Sequence, residues 1–316
     1  MPPPHEEFLL LRPGWSTRQI ARELRRAGVI PSANAFLIYH YAIQRRSLKA
    51  GEYEFRRAAS AVQVHERLAR GDTFKRTVVV PEGYNRFEIA AAVEKAGLGS
   101  RAEFLQFTGS DTALIRDLDP QAASLEGYLF PDTYQFSRIQ SMPEIVAAMV
   151  RRFRQEVRSL GLLPPAGSAP RVALPAGVSF HDLVTLASIV EKETAVPEER
   201  ALVAGVYYNR LARNMLLNAD PCLIYAALME GHYDGAISRA DLQSDSLYNT
   251  YKHRGLPPGP IANPGRGSLQ AALHPAVSDY LYFVSGGNGR HRFARTLGEH
   301  VHNVVLYRRT RAAGNR

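Results

Sequence analysis

The 316-residue sequence predicts an α+β protein, and three observations carry that prediction. A strand, turn and helix pattern occurs twice in the first hundred residues at a fixed offset. A long apolar helical run in the middle of the chain ends in two carboxylates. Near the end, two short β-rich segments flank a Gly-rich turn. With 45% apolar and 22% charged residues, the chain is an ordinary globular protein long enough for two domains or one elaborate one.

Phe8–Leu11 followed by Arg12-Pro13-Gly14 reads as a strand and turn. Ser16 caps a helix with Ile20, Ala21, Leu24 and Ala27 on one face, and Gly28–Ser32 leads into a second helix. Leu48–Phe55 alternates and is expected to return as a strand paired with Phe8–Leu11. Thr77–Val80 and Pro81-Glu82-Gly83 repeat the strand and turn. Gly14 and Gly83, Ile20 and Ile89, Leu24 and Val93, and Gly28 and Gly97 each lie 69 residues apart, which reads as a packing unit used twice. A helix follows around Pro143–Leu160, then a Pro/Gly-rich break at Leu163–Gly177. From His181 the chain is expected to be helical through about Glu230, then loop-rich through Pro257-Pro258-Gly259-Pro260 and Asn263-Pro264-Gly265. Tyr280–Val284 and Arg290–Phe293 form a hairpin, and a last helix spans about Leu297–Arg309.

The net charge of +9 suits a nucleic acid, an anionic membrane surface or an acidic polymer. The basic residues are nonetheless scattered: Arg22, Arg25, Arg26, Arg45 and Arg46 lie early and Arg308, Arg309 and Arg311 late, with no polybasic run. The single cysteine, Cys222, excludes an internal disulfide, a Cys-rich zinc site and a CxxC redox centre. No stretch approaches the ~20 apolar residues of a membrane span. The start has neither a basic nor an apolar leader region, so the chain as written is expected to be soluble, compatible with an excised or internally started version of something longer.

Chemistry concentrates at Leu183–Thr194. On a helical wheel Leu183, Leu186, Ala187 and Val190 make an apolar face; Glu193 projects beside Leu186 and Ile189, and Glu191 beside Val184, Ala187 and Ser188. A carboxyl at the lip of such a helix can be desolvated until it holds a proton near neutral pH, which makes it a general acid. Periodicity favours Glu193 only slightly. Two solvated charges around Lys192 at a helix end is the competing interpretation. His232, His253, His274, His291, His300 and His302 offer no HExxH spacing, and His300 and His302 cannot share a helix face, so no metal site is expected.

The ordered runs Ala187-Ser188-Ile189-Val190-Glu191-Lys192-Glu193-Thr194, Glu199-Arg200, Asn209-Arg210-Leu211, Asp220-Pro221 and Tyr248-Asn249-Thr250-Tyr251 resemble the endolytic murein transglycosylases. So do Gly255–Ile261, Pro264-Gly265, His274-Pro275-Ala276, Tyr280–Val284 and, upstream, Glu126–Tyr134. The early βααβ order with its xPG turn resembles a LysM unit, a glycan-binding module. The resemblance implies a LysM-like unit at 1–58 and a catalytic module at 59–316, divided into 59–175 and 176–316. It implies that Glu193, directly before the hydroxyl residue Thr194, is the catalytic acid. That acid would protonate a glycosidic oxygen and then, as base, deprotonate the sugar's own C6 hydroxyl, leaving a 1,6-anhydro-N-acetylmuramic acid end without water, metal or cofactor.

Within that resemblance Asp220 and Asn249 are candidates to face the charge developing at C1, and Tyr128, Tyr248 and Tyr251 to contact sugars. Asp220 has a rival role as N-cap of the helix starting at Pro221. The family usually carries one N-terminal transmembrane helix, which is not found in this sequence, and often Gln-Thr where this chain has Asn218-Ala219. The implied setting is the outer face of the cytoplasmic membrane. The implied partners are peptidoglycan strands and peptidoglycan polymerases such as penicillin-binding proteins. Three alternatives stay open: a non-catalytic glycan-binding scaffold, a hydrolase in which Asp132 or Asp220 activates water, and a basic nucleic-acid-binding protein, for which no recognition motif is found.

Overall fold

The computed structural model describes residues 7–56, 59–163, 172–287 and 289–314. They divide into two compact units: one of residues up to 79 with 91–101 and 133–145, the other of 80–90, 102–132 and 146 onward. The first unit thus runs past residue 58.

In the first unit, β1 (Glu7–Leu11) pairs antiparallel with β2 (Gly51–Phe55), Leu9 opposite Tyr53, as the alternation predicts. Between them lie α1 (Thr17–Arg26) and α2 (Ala33–Ile38), the latter running into a π turn over Tyr39–Ile43. Ser16 caps α1 through a capping box with Gln19, satisfying N–H groups that a helix start leaves orphaned. A further helix that the sequence pattern did not announce, α3 (Ala61–Arg70), starts with the same device, Ser60 with Gln63. Leu11, Ile20, Leu24, Phe36, Tyr53, Val64 and Leu68 close one apolar core.

The second strand pair is β3 (Arg76–Val79) with β4 (Thr133–Phe136), Val78 opposite Tyr134. Buried Glu52 on β2 takes a bidentate ion pair from Arg76 at 2.8 and 2.9 Å. The 69-residue repeat proves to be a repeat of backbone conformation. Gly14 and Gly83 have φ of +82° and +78°, and Gly28 and Gly97 have +72° and +69°, a region where a Cβ is penalised. Ile20, Leu24, Ile89 and Val93 are all buried at the matching positions.

The remaining helices are α4 (Arg86–Lys95), α5 (Arg101–Gly109), α6 (Met142–Ser159), α7 (Phe180–Glu193), α8 (Arg200–Ala212), α9 (Asp220–Glu230), α10 (Arg239–Gln243), α11 (Arg266–Leu273) and α12 (Leu297–Gly314). The hairpin is β5 (Tyr282–Ser285) and β6 (His291–Ala294), with Phe283 opposite Phe293; Asn288 in its turn lies outside the described residues. So does 164–171, most of the anticipated Pro/Gly-rich break. The expected helical stretch from 181 to 230 is three α-helices, with Pro197–Glu199 only a 3-10 turn leading into α8. The stretch taken as loop after 230 contains α10 and α11. Among the described residues no helix is long and apolar enough to cross a membrane.

Helix α7 is the axis of the second unit. Rather than one apolar face, it buries every residue from Leu183 to Val190, because α8, α9 and α11 pack around it. Ser179 caps it through a box with Asp182. Its end is tied to the Ile261–Gly265 loop: Ser188 Oγ accepts the Ile261 N–H at 3.0 Å and Glu191 accepts the Gly265 N–H at 2.8 Å.

Asn263 holds that loop from the other side. Its Oδ1 accepts N–H groups of Gly127 and Leu129, and its Nδ2 donates to Tyr84 O and Glu126 Oε1, all at 2.9 Å. Replacing Asn263 by Ala leaves two N–H groups, a carbonyl and a carboxyl oxygen short of a partner. The variant is expected to lose about 2–5 kcal/mol in denaturant unfolding. A loss within about 0.5 kcal/mol would show that water takes over the side chain's role.

Candidate active site

The three charged residues that end α7 each have a separate destination, so they are not a solvated tip. Glu191 is buried against Arg200 at 3.3 Å and the Gly265 N–H. Lys192 donates to Gly83 O at 3.2 Å. Glu193, the last helical residue, is partly exposed and lines a cleft of about 470 Å³. Thr194 turns the chain to an extended conformation, and its Oγ1 accepts the Val196 N–H at 3.1 Å. Its hydroxyl therefore shapes the exit from the helix that aims Glu193.

Tyr207 on α8 donates its hydroxyl hydrogen bond to Glu193 Oε1 at 2.6 Å and is itself 1% exposed. Burial pushes the Glu193 carboxyl up to about 7; the Tyr207 hydrogen bond opposes this, the Asp220 charge adds to it, and the Arg210 charge opposes it. The carbonyl end of α7 works in the same direction as burial, since a negative charge is disfavoured there. Arg210 does not cancel the effect because its guanidinium is committed to carbonyls, at 2.6 Å to Leu281, 2.7 Å to Leu217 and 3.3 Å to Leu216, beneath the Tyr282 ring. Its neighbour Asn209 bonds the carbonyls of Ser278 and Tyr280. One turn of α8 thus presents Tyr207 to the acid and ties the approach to the hairpin in place.

Asp220 and Tyr251 also line the cleft. The Tyr251 hydroxyl donates to Asp220 Oδ1 at 2.5 Å. Asp220 is not the N-cap of α9: that position is Ala219, without a side-chain cap, and the Ala219 N–H goes to Thr250 Oγ1 at 2.9 Å. Asn218, just before it, takes φ of +49°. This places Asp220 inside the first turn, where its carboxylate is free to meet Tyr251 and not the backbone.

Two of the expected sugar contacts lie elsewhere. Tyr128 is fully buried, with its hydroxyl on Asp119 and its ring edge-on to Phe153. Asn249 is fully buried too; its Nδ2 reaches the carbonyls of Asp241, Leu242 and Ser244, and its Oδ1 accepts the Tyr251 N–H at 3.0 Å. Asn249 therefore holds the loop that presents Tyr251. Tyr248 packs on Tyr225, and Asp132 pairs with Arg152 at 2.6 Å.

The cleft also contains Tyr207, which the sequence pattern did not single out, and Arg210, Tyr282, His291 and His300, to which it gave no role in this site. A signal existed for one of them. Arg210 continues the apolar face Val203, Val206 and Tyr207, and a charge on a buried helical face is rarely idle. His300 stacks on Tyr282 at 5.2 Å and is held below the usual histidine range by burial and then by Arg210. His291 is tied to Glu199 at 2.7 Å. Among the described residues no three His, Cys, Asp or Glu side chains are grouped to hold a metal.

A second glutamate, Glu126, is also pushed up to about 7 by burial. It is 1% exposed and locked among the Arg86 N–H and Asn263, so it has no route to a substrate. Glu193 combines the raised pKa with an open cleft, the pairing of properties that a general acid requires.

The chain belongs to the YceG-like family, which it matches over residues 9–305. It is 34% identical to the endolytic murein transglycosylase of Bacillus subtilis over 91% of this chain and 81% of that protein. It is 30% identical to the protein of the same name from Streptococcus pneumoniae (strain D39), covering 92% of this chain but only 56% of the relative, so it spans about half of that longer protein. The crystal structure of a YceG-like protein from Listeria monocytogenes superposes with a TM-score of 0.58 at 32% identity, over 94% of this chain and 99% of that one.

Glu193 is expected to titrate near pH 7 by NMR, and Tyr207→Phe to move that value upward, because the lost hydrogen bond favours the charged form. An unchanged or lower value would contradict the assignment. Stability gives an independent reading. A carboxyl raised in the folded state costs stability as pH climbs from the unfolded to the folded pKa. Glu193→Gln should therefore gain on the parent between pH 5 and 8 by on the order of 1–3 kcal/mol. A gap that stays constant with pH in denaturant unfolding would refute the raised pKa.

Proposed function

We propose that this chain cleaves peptidoglycan glycan strands internally, as a lytic transglycosylase acting on the β-1,4 bond between N-acetylmuramic acid and N-acetylglucosamine. The observation that carries this is the cleft-facing carboxyl of Glu193, protonated near neutral pH and held by Tyr207. The names of the relatives from Bacillus subtilis and Streptococcus pneumoniae point the same way.

Protonated Glu193 gives its proton to the glycosidic oxygen as the C1–O bond breaks. Positive charge then develops at C1 and the ring oxygen, and Asp220, oriented by Tyr251, is the negative group available to face it. The Glu193 carboxylate so formed is stabilised by the Tyr207 hydroxyl. It takes the proton of the C6 hydroxyl as that oxygen closes on C1, giving the 1,6-anhydro end and restoring the acid. One carboxyl serves both transfers, and no water is consumed. Asp220, Tyr251 and Glu193 are the site residues in this scheme; Asn249 acts through Tyr251.

The same reading covers the finer points. The βααβ segment of the first unit is LysM-like and engages glycan, a reading supported by the β1–β2 pairing around two helices. The site of action is the cell envelope, where a nascent strand and a penicillin-binding protein or other peptidoglycan polymerase supply the substrate. Recovery of the chain from envelopes with no polymerase bound would count against that partner.

Digestion of purified peptidoglycan by the parent and by Glu193→Gln tests the chemistry. Products should carry no reducing end and be lighter by one water than hydrolytic products. The variant should fall by about 10²–10⁴-fold. Reducing N-acetylmuramic acid ends would instead make Asp220 the base for a water. Binding without any turnover by the parent would leave a scaffold.

A further inference from the structure

The segment closing α2 turns its apolar side chains outward. Phe36 and His40 face inward, at 0% and 6% exposure, while Ile38, Tyr41 and Ile43 are 64%, 52% and 68% exposed. Single exposed apolar residues are ordinary. Here three large ones fall within six residues of sequence, with exposed Ala42 beside them. The π turn contributes: its wider hydrogen bond, from the Gln44 N–H to Tyr39 O at 2.9 Å, takes Ile43, seven residues after buried Phe36, off the buried stripe of α2.

Positive charge follows at once. Arg45, Arg46 and Lys49 are exposed, and α1, which packs on α2, exposes Arg18, Arg22 and Arg25. The residues of the first unit hold 17 Lys and Arg against 9 Asp and Glu, a net +8; those of the second hold 22 against 21, a net +1. The net positive charge is thus carried almost entirely by the unit that holds the apolar turn.

We propose that this turn docks the first unit onto an anionic lipid bilayer. Ile38, Tyr41 and Ile43 enter the boundary between headgroups and acyl chains, and Arg45 and Arg46 meet lipid phosphates. The layering decides the occupant. A bilayer interface offers hydrocarbon beneath anionic phosphate, matching an aliphatic tip followed by arginines. A hydrated acidic polymer has no layer for Ile38 and Ile43. The inference does not depend on the chemistry assigned to the cleft.

The test is co-sedimentation of the full chain with phosphatidylcholine vesicles, with and without phosphatidylglycerol. The chain should pellet only with the anionic vesicles and be released by salt. Arg45→Ala with Arg46→Ala should weaken binding by on the order of thirtyfold. Ile38→Ser and Ile43→Ser should each weaken it by about tenfold, with circular dichroism unchanged. Equal binding to neutral vesicles, no binding to either, or variants that pellet like the parent would overturn the proposal. Loss of pelleting with insoluble peptidoglycan, and not with vesicles, would transfer the patch to glycan. A dimer in sedimentation velocity that Ile43→Ser dissolves would assign it to a second copy.

Discussion

The interaction on which the second unit depends is the saturated side chain of Asn263. It joins three loops that are far apart in sequence, at 84, 126–129 and 263, through four hydrogen bonds of equal length. Buried amides are costly unless every donor and acceptor is met, and here every one is. The consequence reaches the cleft through the backbone. Residues 261 and 265 are bonded to Ser188 and Glu191, five and two residues before Glu193 in α7. The helix that ends in Glu193 therefore has its rotation and its axial position fixed by loops, while α8, α9 and α11 fix its lateral position. The general acid of the proposed scheme requires this sort of over-determination, because proton transfer is sensitive to fractions of an ångström.

The same constraint explains why two carboxylates two residues apart behave differently. Glu191 is held by a backbone N–H and a guanidinium, which fix its position. Glu193 receives one neutral hydroxyl, lies at the carbonyl end of the helix, and has its nearest cation turned toward carbonyls. The residue type is identical; the partners decide. Glu126 completes the comparison: burial raises its pKa to the same value, and its hydrogen bonds seal it inside. A perturbed pKa is thus a sign of function only where an approach for substrate exists.

The elements legible in the sequence are those with a local cause. Serine caps, the Leu48–Phe55 alternation and the 69-residue recurrence of Gly14 at Gly83 all reappear as capping boxes, a registered strand pair and left-handed glycines. Helices α3, α10 and α11 were not legible from composition and turn residues, since α11 sits directly after Asn263-Pro264-Gly265, a run that reads as loop. The site was legible in part. Glu193, Asp220 and Tyr251 lie together, whereas Tyr128 and Asn249 satisfy interior polar groups, which a polar residue in a Gly/Pro-rich motif can do as readily as touch a ligand. Tyr207 and His300 reach Glu193's cleft from 14 and 107 residues away, a distance over which no local periodicity operates. Charge was misleading for a related reason: net charge counted along the chain conceals how folding partitions it between the two units.

The partition of charge also bears on how a single-acid cleft can work on a polymer. A glutamate kept near half-protonation is sensitive to any added positive potential, which would lower its pKa and strip it of its proton. A net of only +1 on the second unit, with Arg210 directed to carbonyls, keeps that potential small. The +8 carried by the first unit is the charge available to attract an anionic surface. In the proposed scheme attraction and proton transfer place opposite demands on electrostatics, and the chain carries its net charge and its raised carboxyl on different units.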